Sequence, residues 1–252
     1  MPFTLAHPAV VLPLRRLYPG AFLPLVLGSV GPDLKFFLPF RLEHALGETH
    51  SLLGALTLGP LLALALLAVV VLLEPVLLQP LWGTHRALLR QALFPWRRSL
   101  GPWVWALPAL WLGSFSHYVC DAATHPQGSI VRMLPVLDVS LPILGHAVTT
   151  YRLLQYLSSL AGLIILLWWY YRDLNAVPRT EQEEATSGQA VWLAFIALGA
   201  VALAIRAVLR TLPYHPGPGG LLYATTTHFI SDFAALYVLW GLMNWIRWPR
   251  RG

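Results

Sequence analysis

Histidine and aspartate side chains recur at helical spacing near the middle of the chain. Residues 117–126 read HYVCDAATHP, so that His117, Asp121 and His125 stand at positions i, i+4 and i+8. These positions share one face of a helix, which would aim two imidazoles and a carboxylate in the same direction before Pro126 helps to end the helix. Neutral imidazole and carboxylate are ligands that zinc and similar divalent ions accept. The spacing therefore predicts a metal site.

Other histidines and aspartates lie where they could join the same site. His228 and Asp232 repeat the i, i+4 spacing near the C-terminus, and His50 heads a long apolar stretch in the sequence THS. Asp33 follows a glycine and a proline at the end of a short apolar run, and His7 precedes Pro8. We expect these side chains to approach the 117–125 stripe.

Each of these signals has a simpler interpretation. A single histidine–aspartate pair on a helix is commonly a hydrogen-bonded polar pair, and the threonines at 225–227 could satisfy Asp232 without a metal. His7 could be an interfacial residue, and His215 is typical of a loop. An aspartate deep in a membrane-spanning helix costs about 2.5–3.5 kcal/mol on insertion scales, which favours a functional role for Asp121 and Asp232. His44 and His146 stay undecided.

The composition shows which class of protein must position these residues. The chain has 252 residues, of which 57% are hydrophobic and 11% are charged. Soluble domains carry about 25% charged residues, so a soluble globular domain and a disordered chain are both excluded. The single cysteine, Cys120, excludes a disulfide framework and a cysteine-based zinc site. The net charge of +6 comes from arginines that flank apolar runs, which indicates membrane helices and no nucleic-acid partner.

Five apolar stretches are long enough for the roughly 20 residues that a spanning helix needs. An eleven-residue apolar run near position 25, bracketed by prolines and glycines, is too short and predicts a re-entrant or interfacial helix. We therefore expect an all-α, polytopic membrane bundle of about five spans that forms a single domain over residues 1–252. Its parts are a fold-back segment at 1–50, a core with the ligand motifs at 51–171, a polar loop at 172–189 and two final spans at 190–252. The five predicted spans cover about 51–78, 102–120, 149–171, 190–208 and 221–246.

Several motifs together resemble bacterial domain-of-unknown-function family 4184. They are MPFTLAHPAVVLPLRR at the start, then GSVGPD, THSLLG, GSFSHYVCDAATHPQG and TYRLLQYLSS, and they cover most of residues 1–165. That family is itself uncharacterised, so the resemblance implies a fold more than a function.

The order H…PD…THS…SHxxxDxxTHxxG is also similar to the inner-membrane metal-dependent hydrolases that the LexA repressor regulates, and to zinc-dependent phospholipase C and P1-type nuclease. Those phospholipases and nucleases are all-helical and hydrolyse phosphoesters with a trinuclear zinc cluster. The resemblance implies a multi-pass protein of the inner (cytoplasmic) membrane. It also implies metal ligands at His7, Asp33, His50, His117, Asp121 and His125, with Asp121 as the bridge between ions.

Two features differ from the soluble enzymes. His228 and Asp232 would stand in place of a later HxxxE pair, with His146 as an alternative there. The soluble enzymes use an N-terminal tryptophan as a ligand, whereas this sequence starts Met-Pro-Phe. The resemblance therefore implies two zinc ions and leaves a third open.

These inferences converge on a membrane-embedded, zinc-dependent hydrolase of a phosphoester. Asp33 and Asp121 are the predicted catalytic carboxylates, and the membrane setting favours a phospholipid or lipid-linked phosphate as substrate. Two alternatives stay open. One is an ion- or proton-coupled transporter that uses the same buried residues, and the other is a membrane scaffold without activity.

Overall fold

The structure, a computed structural model, describes residues 4–16, 21–37, 47–78, 80–81, 83–143, 145–178, 187–212 and 218–247. The candidates His44 and His215, and residues 179–186 of the polar loop at 172–189, lie outside these residues. The chain divides into two compact units. The first unit carries the described residues of 1–35, 46–68 and 95–175, and the second carries those of 36–45, 69–94 and 176–252.

The described residues are almost entirely helical, and the predicted all-α fold class is confirmed. Short 3₁₀ helices cover Thr4–Ala6, Leu12–Arg16, Gly31–Phe37 and Pro135–Asp138. The α-helices are α1 (Pro8–Val11), α2 (Phe22–Val30), α3 (Leu52–Leu56), α4 (Leu58–Leu72), α5 (Glu74–Leu78), α6 (Gly83–Arg98), α7 (Gly101–Val104), α8 (Ala106–Thr124), α9 (Ser129–Met133), α10 (Thr150–Asn175), α11 (Ser187–Thr211) and α12 (Pro218–Arg247).

Four helical segments of the described residues are long and apolar enough to cross a membrane, so the chain is a membrane protein. They fall on four of the five predicted spans. The predicted span at 102–120 instead forms α7 and α8, and α8 is not among the four. From Ser114 onward it carries two serines, a histidine and an aspartate, which make it less apolar than the other four. The four segments are Leu52–Leu72, Thr150–Asn175, Gln189–Arg210 and Gly220–Ile246.

The N-terminal segment of the first unit packs on itself, with Val11 of α1 in one buried cluster with Leu25 of α2. Its two described stretches, 4–16 and 21–37, both lie against longer helices. Ala6 packs on Gly162 of α10, where an added Cβ would lie 2.9 Å from the Ala6 carbonyl oxygen. Further along, Arg15 forms an ion pair with Asp173 of α10, with Nη1 and Oδ2 2.8 Å apart. The segment is therefore attached to α10 at two levels.

A two-stranded antiparallel hairpin is the exception to the helical fold. Strand β1 (Ser140–Ile143) pairs with β2 (His146–Thr149), and Gly145 between them has a φ of 80°. This left-handed conformation favours glycine, which has no Cβ to clash with the backbone. Strand β2 continues directly into α10, so the hairpin stands at the head of a candidate membrane span.

The second unit is built mainly from α11 and α12, which pack along one another, and from α5. Gly241 of α12 lies so close to the backbone of Val76 that a larger residue would not fit there. The Tyr237 hydroxyl donates to the Leu77 carbonyl oxygen at 2.6 Å. His228 and Asp232 belong to this unit, on α12.

Candidate metal centre

His117 is held in one tautomer by the close contact between α2 and α8. Its Nδ1 lies 2.8 Å from the Ser29 carbonyl oxygen and must donate, because a carbonyl oxygen only accepts. The Nε2 atom of the neutral ring then has its lone pair free, and it faces the carboxylates of Asp121 at 3.2 Å and Asp33 at 3.7 Å. A histidine whose second nitrogen is fixed by a carbonyl is typical of metal ligands.

Glycine makes this contact possible. An added Cβ on Gly113, one turn before His117, would lie 2.7 Å from the Ser29 backbone nitrogen. On the facing helix, an added Cβ on Gly28 would lie 2.9 Å from the Leu110 Cα. Only hydrogen at both positions lets α2 approach α8 closely enough for the Ser29 carbonyl to reach the imidazole.

The two oxygens of Asp121 face different imidazoles. Oδ2 lies 3.2 Å from Nε2 of His117 and 3.6 Å from Nε2 of His50. Oδ1 lies 3.8 Å from Nε2 of His7 and 3.5 Å from Nδ1 of His125. A carboxylate whose two oxygens face different imidazoles has the arrangement of a bridge between two metal ions.

Asp33 approaches the same point from the 3₁₀ helix Gly31–Phe37. Its Oδ1 lies 2.9 Å from Nε2 of His50, and its side chain is almost fully buried. The turn before it is tight, since an added Cβ on Gly31 would lie 2.6 Å from the Gly59 carbonyl oxygen. The glycine and proline of the GPD sequence thus place the carboxylate against α4.

His50 is positioned by the start of the first candidate span. Ser51 caps α3, its side chain accepting a hydrogen bond from the Gly54 backbone N–H at 3.0 Å. The His50 backbone N–H donates to Oε1 of Glu48 at 2.8 Å, and its Nδ1 lies 3.1 Å from the Thr49 hydroxyl. These contacts leave Nε2 directed at the two aspartates.

His7 completes the buried part of the site by stacking on His117, with ring centroids 3.8 Å apart and planes at 22°. His125 stands at the edge. Its Nδ1 lies 3.2 Å from the Asp121 carbonyl oxygen and donates to it, so only Nε2 could bind an ion. We call these six residues the His/Asp cluster: His7, Asp33, His50, His117, Asp121 and His125.

Two sets of side chains in the cluster could each hold a metal ion, with their ligand atoms within 4.8 Å of one another. One set is His50, His117 and Asp121, and the other is His7, Asp33 and His117. Two ligands about 2.0–2.1 Å from a tetrahedral zinc lie about 3.3 Å apart. Within the two sets, the distances from a histidine Nε2 to a carboxylate oxygen are 3.2, 3.6 and 3.7 Å, close to that value.

Unpaired polar atoms also indicate a metal site. Among the described residues, buried side-chain atoms without a hydrogen-bond partner include four of the cluster: Nε2 of His7 and of His117, Oδ2 of Asp33 and Oδ1 of Asp121. Leaving such an atom unpaired costs about 1–3 kcal/mol, more for a charged group. A bound cation would satisfy all four, so the donor set fits a divalent metal.

The electrostatics favour the metal-binding forms of His7, Asp33 and His125. Burial opposes the charged form of His117, but the hydrogen bond to Asp121 and the nearby Asp33 carboxylate raise its pKa. Burial and the neighbouring His117 lower the pKa of His7 from 6.5 to about 3, so its ring is neutral. Burial alone would raise the pKa of Asp33, but the hydrogen bond to His50 and the neighbouring His117 lower it to about 2. Burial also lowers the pKa of His125. Neutral imidazole and ionised carboxylate are the ligands that zinc requires.

The structure brings six of the eight predicted metal ligands together. The other two, His228 and Asp232, lie on α12 in the second unit, and their role as ligands stays a prediction. His146 is exposed at the start of β2. Sequence analysis did not identify the Ser29 carbonyl or the Thr49 hydroxyl, which orient His117 and His50. A backbone carbonyl leaves no residue-type signal, whereas Thr49 directly precedes a candidate ligand and could have been suspected.

Comparison with known proteins gives a family but no activity. The family described as a domain of unknown function (DUF4184) matches residues 1–244, and the chain belongs to it. No curated protein and no solved structure shows significant similarity to the chain.

Proposed function

We propose that this DUF4184 protein is a membrane-embedded, zinc-dependent hydrolase of a phosphoester, with a phospholipid or lipid-linked phosphate as substrate. The observation that carries the proposal is the His/Asp cluster, in which four imidazoles and two carboxylates converge and buried ligand atoms lack other partners. Clusters of this composition recur in enzymes that hydrolyse phosphates with two metal ions.

The two ligand sets overlap at His117, which has a single free lone pair on Nε2 and can serve one ion only. We assign His117 to the first ion, together with His50 and Oδ2 of Asp121. The second ion would use His7, Asp33 and Oδ1 of Asp121, with Nε2 of His125 within reach of the edge. Asp121 is then the bridging carboxylate, as its two-sided geometry favours.

Charge favours an anionic substrate. Two carboxylates and neutral imidazoles give the cluster a charge of −2, so two divalent cations would leave a net charge of about +2. This charge complements a phosphate group. When bound, two zinc ions supply an activated water nucleophile and stabilise the leaving oxygen. Asp33 and Asp121, as the only carboxylates of the cluster, would hold the ions. Because Asp121 would use both oxygens as the bridge, Asp33 is the carboxylate that could accept the proton that the attacking water releases.

The position of the cluster favours a substrate that belongs to the bilayer. Ala6, the neighbour of His7, packs on Gly162, twelve residues from the start of α10. At a rise of 1.5 Å per residue this is about 18 Å along the helix axis. The segment that carries His7 therefore packs against the middle of a candidate span, while His125, at the edge of the cluster, directly follows the last residue of α8. With four such spans, we place the protein in the inner membrane as a multi-pass enzyme.

Hydrolysis in proteoliposomes tests the proposal. We expect zinc-dependent release of phosphate or headgroup from a phosphoester lipid, lost in His117→Gln and retained in His85→Gln, a matched change in the second unit. Loss of activity should follow chelation and return with zinc. Flux of zinc or protons across the vesicle membrane without hydrolysis would contradict the proposal and favour a transporter. The absence of both hydrolysis and flux would contradict the proposal and favour a scaffold.

A further inference from the structure

Residues 129–149, outside the candidate membrane spans, expose several large apolar side chains beside the His/Asp cluster. The segment contains α9, the 3₁₀ helix Pro135–Asp138 and the hairpin β1–β2. Five of its apolar side chains are between 37% and 77% exposed, more than water-facing loops ordinarily carry. They are Met133, Leu134, Val136, Val139 and Leu141. We call residues 129–149 the docking element.

We propose that the docking element lies in the membrane interface, with these apolar side chains inserted among the lipid acyl chains. It is too short to cross the bilayer, because its longest helix has five residues. Its strands pair with each other, so the backbone groups between them are satisfied, whereas the outward-facing groups of both strands need the water or headgroups that the interface provides. An interfacial location suits a segment of this kind.

The connection to α10 favours lipid as the partner of the exposed apolar side chains. Strand β2 runs into α10 without a break, and Thr150 at the helix start is tied back to the element. Its backbone N–H and its hydroxyl both donate to the Val139 carbonyl oxygen, at 2.9 and 3.0 Å. Val139 is thereby fixed at the end of a candidate membrane span, where the bilayer surface begins.

Charge on either side of the apolar stretch favours the same partner. Arg132 and Arg152 are exposed and flank it in the sequence, while Asp138 is the acidic residue within it. Exposed arginines next to an apolar segment are attracted to anionic headgroups. The element therefore combines side chains suited to acyl chains with cations suited to the headgroup layer.

The element is also joined to the cluster. Gly128, just before α9, packs so closely on Ala122 of α8 that a side chain would not fit, and the Tyr118 hydroxyl lies 3.3 Å from the Ser129 hydroxyl. His125 lies only four residues before the element. If the proposed hydrolase function holds, on which this step rests, the exposed edge of the cluster opens beside lipid headgroups.

Depth-dependent fluorescence quenching tests the location directly. In a Cys120→Ser background, which removes the only cysteine, a bimane label is placed by Val136→Cys, and a reference label by Leu160→Cys within α10. The protein is reconstituted in phosphatidylcholine–phosphatidylglycerol vesicles that contain brominated lipids. We expect lipids brominated near the headgroup to quench the label at 136 more than lipids brominated deep in the chain, and the reverse at 160.

Aqueous iodide provides the opposite probe. Strong quenching of the label at 136 by iodide, without quenching by brominated lipid, would place the element in water and overturn the proposal. Protection from both quenchers would show that protein covers the surface, either a partner or a second copy of the chain, and would overturn it too.

A functional measurement separates this proposal from that of the hydrolase. Val136→Glu should lower hydrolysis of a phosphoester lipid in vesicles by about tenfold, the factor expected when one valine is lost from lipid contact. Hydrolysis of a water-soluble phosphoester should not change. An equal loss of hydrolysis with both substrates would contradict a docking role, and so would unchanged hydrolysis of both. If the wild-type protein hydrolyses neither substrate, the hydrolase proposal fails, while the quenching result still decides where the element lies.

Discussion

Replacing Gly113 by alanine should disturb the His/Asp cluster without touching any of its side chains. The added Cβ would lie 2.7 Å from the Ser29 backbone nitrogen, whereas ordinary contacts begin at 3.4 Å. The difference of 0.7 Å between these two distances is the least by which α2 must move away from α8. The obstructing atoms belong to the backbone, so no side-chain rotation can relieve the contact.

That displacement is enough to break the bond that orients His117. The Ser29 carbonyl oxygen is 2.8 Å from Nδ1, and a further 0.7 Å brings it to 3.5 Å, the limit of a hydrogen bond. Overpacking a core costs about 1–3 kcal/mol. Leaving the buried imidazole N–H unpaired adds about 1–3 kcal/mol. We therefore expect Gly113→Ala to destabilise the protein by about 2–6 kcal/mol.

The assay is the thermal unfolding of the detergent-solubilised protein together with its zinc content. Gly101→Ala is the matched control, because an added Cβ there meets its nearest neighbour, the Ser99 hydroxyl, only at 3.8 Å. We expect the Gly113 variant to unfold at a lower temperature and to hold less zinc than the control. Equal unfolding temperatures and equal zinc contents in the two variants would refute the proposed link between helix packing and the cluster.

Four further outcomes are expected. Gly162→Ala should shift the segment that carries His7 and weaken zinc binding, measured by titration against a chelator. Arg15→Ala should lower the unfolding temperature only slightly, because its ion pair with Asp173 is partly exposed and such pairs contribute about 1 kcal/mol or less. In metal-free protein, the free energy of unfolding should fall as the pH drops below 6.5. The unfolded chain then protonates His7, whereas in the folded chain the pKa of His7 is about 3 and the ring stays neutral. His7→Gln should flatten this dependence in an unfolding series. Chelation of the wild-type protein should lower the unfolding temperature, and added zinc should restore it.

The local pattern of the chain predicts much of the cluster. The i, i+4, i+8 spacing puts His117, Asp121 and His125 on one face of a helix, and the structure shows α8 ending at Thr124, just before Pro126. The capping serine after His50 likewise marks the start of a helix. Such features depend only on residues that are close together in the sequence, so they can be predicted from it.

Features that depend on distant contacts could not be predicted in the same way. The approach of α2 to α8 follows from Gly28 and Gly113, which are 85 residues apart in the sequence. The hairpin at 140–149 follows the predicted span at 102–120 and has no clear strand signal, because its apolar residues do not alternate cleanly and Pro142 is atypical of a strand. The sequence also predicts a membrane span over α8, because the first half of this helix is apolar and its polar residues come late.

Zinc content after purification tests the central claim most directly. We expect about two zinc ions per chain in the wild-type protein and the loss of at least one in Asp121→Asn, because the bridging charge between two cations would be removed. Asp138→Asn, a matched change of an exposed carboxylate, should keep the wild-type content, and Asp232→Asn should lose less zinc than Asp121→Asn. A wild-type protein without zinc after growth and purification in zinc-replete medium, or an unchanged zinc content in Asp121→Asn, would contradict the two-metal centre.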